Sequence, residues 1–143
     1  MFLLPMILSG ILAIASIFVA FRLRPVKPSR VALAMAVLSP VLMLVLFYSL
    51  AFHLYHHLGG WPTSIGDKGF PPLLVTHEDI AIKYFIILLL LSIFIWPTAY
   101  ILCAVIRRWR MGLFYLEIYA LAYLVCIGIM WFAPSQFWNW WWD

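Results

Sequence analysis

Long apolar runs separated by short polar ones organise this chain. The first run is FLLPMILSGILAIASIFVAF, Phe2 to Phe21, and the second is VALAMAVLSPVLMLVLFYSLAF, Val31 to Phe52. The third extends from about Tyr84 to Ile106 and the fourth from Leu113 to about Phe132. A hydrocarbon core of about 30 Å is crossed by about 20 apolar residues in a helix, the length of each run. Extended chain would leave its backbone N–H and C=O groups unpaired in lipid, so the runs predict helices rather than strands. The expected fold is therefore an all-α integral membrane protein, a bundle of four transmembrane helices in one domain over residues 1–143. A long loop over 53–83 joins the second and third helices, and a tryptophan-rich tail occupies 133–143.

Local signals refine these limits. Gly59, Gly60 and Pro62 predict that the second helix stops near Leu58. Thr76 followed by Asp79 has the spacing of a capping box and predicts the start of the third helix, with His77 as its first residue. Pro40 and Pro97 each remove a hydrogen bond one turn earlier, near Ala36 and Ile93, and predict kinks there, whereas Pro5 lies too close to a helix start to disturb it. Ser9, Ala13, Ser16 and Ala20 share one face of the first helix and form a small-residue stripe suited to close helix packing.

Composition narrows the class further. Apolar residues make up 67% of the chain, charged residues 10%, and the mean hydropathy is +1.07, far from the roughly half-apolar balance of soluble domains. The formal charge of +4 would suggest a nucleic-acid partner only if it formed a patch. Instead seven of the nine basic residues gather in two short connections, Arg22, Arg24, Lys27 and Arg30, then Arg107, Arg108 and Arg110. Such clusters specify topology: both connections are expected in the cytoplasm, with both termini and the histidine loop on the outer, periplasmic or lumenal, side. The predicted location is a bacterial inner membrane, with the lipid bilayer and other membrane protein subunits as partners and no nucleic acid. Phe2–Phe21 has no basic residue before it and is expected to be a retained span rather than a cleaved signal. Trp61, Trp131 and the tail FWNWWWD are expected at headgroup level as an interfacial anchor.

Candidate chemistry concentrates in two places. All four histidines fall between His53 and His77. His53 and His57 stand at i and i+4 on one helix face, a chelating spacing, and His77 with Glu78 or Asp79 could complete a metal shell; haem on His53 or His57 is the related alternative. The structural alternative is that these histidines only complement the carbonyl end of a helix. Glu117 is the carboxylate inside an apolar run and needs a partner or a proton there. An arginine from the first basic connection would satisfy it, and a proton-relay or ion-binding role is the functional alternative. Tyr115, Tyr119 and Tyr123 recur every fourth residue and should find hydrogen-bond partners within the bundle. Cys103 and Cys126 lie in separate apolar runs and are expected to pack as free thiols. Motifs of metalloproteases, α/β-hydrolases, phosphate loops and dinucleotide sites are absent from the sequence. The sequence thus predicts a non-catalytic subunit or assembly factor of a larger membrane complex. Its alternatives are a metal- or haem-binding membrane protein and a small transporter working through Glu117.

Overall fold

The computed structural model describes residues 3–24, 27–62 and 70–142, with side chains described at Ile11 and from Ile14 onward. Among the described residues every regular element is helical. Helix α1 spans Leu3–Leu23, α2 Arg30–Leu58 and α3 Pro72–Leu90; α3 continues through a π-helical turn, Leu91–Ile95, into α4, Trp96–Val105. A single 3₁₀ turn at Arg107–Trp109 leads to α5, Met111–Met130, and a short helix α6 follows over Ser135–Trp142. Among the described residues, three helices are long and apolar enough to cross a membrane: α2, the continuous helix Pro72–Val105, and α5.

Each boundary has a local cause. Ser29 caps α2 by accepting a hydrogen bond from the Ala32 N–H at 3.3 Å, and Gly59 ends it in the left-handed region, φ 68°. The third long helix does not begin at Thr76. It begins at Pro72, preceded by an extended Pro71, because proline presets φ and its missing N–H is no loss in a first turn. Thr76 is inside the helix and donates its hydroxyl back to the Pro72 carbonyl at 2.9 Å, while His77 occupies the second turn. Pro97 is absorbed by the π turn, where the Trp96 N–H reaches back five residues to Leu91. This replaces the simple loss of one bond expected near Ile93.

Helix α5 is the hub, packing against α1, α2 and α4, while α2 and α3 pack against each other. The contact of α2 is made by Met43, Phe47, Leu50 and Leu54, buried residues spaced four, three and four apart, so that they form one stripe. Opposite them stand Leu74, Ala81, Phe85 and Leu88 of α3, with Cys126 and Met130 of α5. Of the expected small-residue stripe on α1, Ala20 is buried and Ser16 half-buried, whereas Ser9 and Ala13 lie outside the residues with described side chains. Cys103 and Cys126 are free thiols.

The helices differ in height. α5 has 20 residues, about 30 Å at about 1.5 Å per residue, and matches a hydrocarbon core. α2 has 29 residues, or about 43 Å. The Tyr48 hydroxyl donates to the Ile129 carbonyl at 2.8 Å and fixes the end of α5 beside Tyr48, so Ser49–Leu58 stands above it. α6 fills that step. Phe137, fully buried, lies 4.9 Å from the ring centre of Phe47 and 5.9 Å from Trp61. Trp141 reaches Phe47 at 5.1 Å and Phe85 at 5.6 Å. The tail is thus a helix whose rings pack on Phe47 of α2, Trp61 of the loop after it and Phe85 of α3.

Both basic connections share the opposite end. The Ser29 N–H donates to the Tyr115 hydroxyl at 2.8 Å, which ties the first connection to the first turns of α5, immediately after Arg107, Arg108 and Arg110.

Candidate functional site

Two polar groupings interrupt the apolar interior. The first lies at the step between α2 and α3, above the level at which α5 ends. His53 and His77 meet there, Nδ1 to Nδ1 at 3.0 Å, and His77 Nε2 lies 3.0 Å from Ser49 Oγ. The Ser49 hydroxyl donates its one proton to the Leu46 carbonyl at 3.0 Å, as a helical serine readily does. Ser49 Oγ therefore accepts from His77 Nε2–H. A neutral His77 then has a bare Nδ1, which accepts from His53 Nδ1–H and leaves the lone pair of His53 on Nε2; the tautomers are assigned from this network. The chain Leu46–Ser49–His77–His53 has one direction.

Of the residues expected to share a metal, the fold brings His53 and His77 together across two helices. His57 is exposed one turn further along α2. Glu78 is half-buried on α3, and its neighbour Asp79 is exposed and pairs with Lys83 at 2.7 Å. Among the described residues, no three histidine, cysteine or acidic side chains converge on one point. Two imidazoles on a tetrahedral zinc at about 2.0–2.1 Å would hold their nitrogens about 3.3 Å apart, so the pair would have to open slightly and His53 would have to shift its proton to Nε2. The geometry is compatible with a two-histidine metal site finished by solvent. It contains no pair of ligands on opposite sides of a plane, as six-coordinate haem would need. Asp67 and Lys68 in the connecting loop lie outside the described residues.

The second grouping runs along the contact of α3 and α4 with α5. Glu117 is 5% exposed, and Tyr100 of α4 is its polar neighbour. One turn along, Trp96 Nε1 donates to the Leu116 carbonyl at 3.0 Å, and a further turn away Ser92 Oγ and the Tyr119 hydroxyl lie 2.8 Å apart. Tyr119 stacks on Tyr123, whose hydroxyl is buried and has no protein partner among the described residues. The expected arginine partner of Glu117 is not among the described ion pairs, where Lys83–Asp79 stands alone. Within the tyrosine stripe, Tyr115 and Tyr119 find the predicted partners and Tyr123 does not. Ser92, Trp96 and Tyr100 have a legible signal of their own: polar-tipped residues at every fourth position along one face of a mostly apolar helix.

Taken together, the described residues define an all-helical fold with three helices long and apolar enough to cross a membrane, and the apolar faces of these helices are suited to contact with a lipid bilayer. No protein-family model matches the chain, and neither a curated protein nor a solved structure is similar to it at a significant level.

Proposed function

We propose that the chain is a small polytopic subunit or assembly factor of a larger membrane complex, without a reaction of its own. In this reading α1 is a fourth span beside α5. The arginine end faces the cytoplasm of a bacterial-type inner membrane, and both termini and the histidine end face outward. The observation that supports a protein partner is the segment Leu91–Val105, which has no buried residue although it carries the π turn, Trp96 and Tyr100. Ser92 and Trp96 already bond to α5, and it is the remaining flank, with Phe94, Ile101 and Val105 exposed, that offers a surface on which another helix can pack closely. Photo-crosslinkers at Ile101 and at Val45, both exposed on different helices, test this in the native membrane. A discrete protein adduct is expected at Ile101 and lipid adducts alone at Val45. Lipid adducts at both positions would remove the subunit reading.

The His53–His77 contact favours a second reading, in which the histidine end binds a metal ion, or haem through one of these imidazoles. Purified protein should then retain zinc or copper near one equivalent by elemental analysis, and lose it in His53→Ala and His77→Ala. His57→Ala should retain the metal, since His57 stands apart. Equal metal content in all three variants would show that the histidine pair does not hold it.

A further inference from the structure

The arginine end contains a feature that the subunit reading does not use. Arg22, Arg24, Lys27 and Arg30 follow one another with no acidic residue among them. Beside this connection α1, the start of α2 and α5 leave a cavity of about 250 Å³. Ile17, Ala20 and Phe21 of α1 and Phe114 and Ile118 of α5 form much of its wall, and Arg24 is the charged side chain in its lining. Arg22 is engaged elsewhere, its guanidinium 5.3 Å from the ring centre of Phe18. Among the described residues no carboxylate pairs with Arg24.

An apolar groove with a single cation at a membrane boundary complements an amphiphile that has a hydrocarbon chain and an anionic head. The chain gains nothing from leaving bulk lipid for an equally apolar groove, so it serves to position the molecule. Selection falls to the head group, where Arg24 faces no competing carboxylate and Lys27 and Arg30 add to the local positive potential. We infer that this groove seats one anionic phospholipid, with its phosphate at Arg24 and one acyl chain along Ile17, Phe21 and Ile118. The inference holds whether or not the protein has a protein partner.

Native mass spectrometry of the full chain in mild detergent tests it, with dioleoylphosphatidylglycerol compared with dioleoylphosphatidylcholine, whose chains are identical. One phosphatidylglycerol should be retained at least about fivefold more than phosphatidylcholine, the factor that about 1 kcal/mol per basic residue at an anionic surface implies. Arg24→Ala should bring retention down to the phosphatidylcholine level, while Arg108→Ala, which removes the same charge away from the groove, should leave it high. Ile17→Trp, which fills the groove and keeps every arginine, should also lose the lipid. Equal retention of the two lipids, equal loss in Arg24→Ala and Arg108→Ala, or full retention in Ile17→Trp would each overturn the assignment. Competition by glycerol phosphate as effective as that by phosphatidylglycerol would do so too, by showing a phosphate site with no seat for a chain.

Discussion

Phe137→Ala is expected to destabilise the protein by about 3 to 5 kcal/mol, the range for removing a buried phenyl ring from a packed core. The ring is fully buried and has Phe47, Trp61, Trp140 and Trp141 around it, at centroid distances of 4.9, 5.9, 5.8 and 6.3 Å. These neighbours come from α2, the loop after it and α6 itself, so the cavity would open at the junction of three segments. Relaxation is limited there, because Trp141 is also held against Phe85 at 5.6 Å. The matched control is Phe132→Ala, a ring that is 83% exposed and loses only lipid contact. Unfolding in detergent, followed by tryptophan fluorescence, should show a large downward shift for Phe137→Ala and almost none for Phe132→Ala. Similar melts for the two variants would mean that α6 is not docked as described.

The second large effect concerns the histidine pair. His77→Ala removes the donor to Ser49 Oγ and the acceptor for His53 Nδ1–H at once, and should cost about 1 to 3 kcal/mol for the polar groups left half-buried. The same contact makes stability depend on pH in a definite direction. It needs one bare Nδ1, and imidazoles that are both charged present N–H groups to each other and repel. Folding through the pair is therefore strongest when at least one ring is neutral and weakens as acid charges both. The neighbouring groups are Glu78 and Asp79 on α3 and His56 and His57 on α2. Wild type should melt lower at about pH 5 than at about pH 7.5, and His77→Ala should lose most of that difference. An unchanged pH difference in His77→Ala would place the acid sensitivity elsewhere.

Several of these features were legible before any fold was known, and the exceptions are physical. Run length located α2 and α5 because hydrocarbon thickness sets helix length directly. Gly59 marked the end of α2 because a left-handed φ of 68° is a local requirement that glycine meets at little cost. The third long helix starts at Pro72, ahead of the capping box, since Thr76–Asp79 and Pro71–Pro72 both have helix-start chemistry and sequence does not rank them. The tail could not be placed by composition either. FWNWWWD suits a headgroup layer and an aromatic core equally well, and the packing of its rings on Phe47 and Phe85 depends on tertiary placement that composition does not carry.

The candidate site shows the same division. Spacing within one helix suggested His53 with His57, whereas the contact formed is His53 with His77, across two helices. Its register depends on Leu50 and Leu54 packing near Leu74 and Ala81, a pairing that no local pattern encodes. Glu117 was visible because a carboxylate within an apolar run is conspicuous. Its neighbour Tyr100 was not, because tyrosine is common in membrane helices and its placement depends on which helix face meets α5.

The unequal heights of the helices have a consequence for the surrounding bilayer. A membrane matched to the roughly 30 Å of α5 leaves the last turns of α2 in the headgroup region, where water can reach His53. A membrane several ångströms thicker would carry oil up the α2–α3 flank while α5 fell short of it, and the mismatch would be relieved by tilting the molecule or thinning the lipid beside α5. Either response alters how wet the His53–His77 pair is. The hydration, and with it the acid response, of this corner of the protein is thereby coupled to the thickness of its membrane.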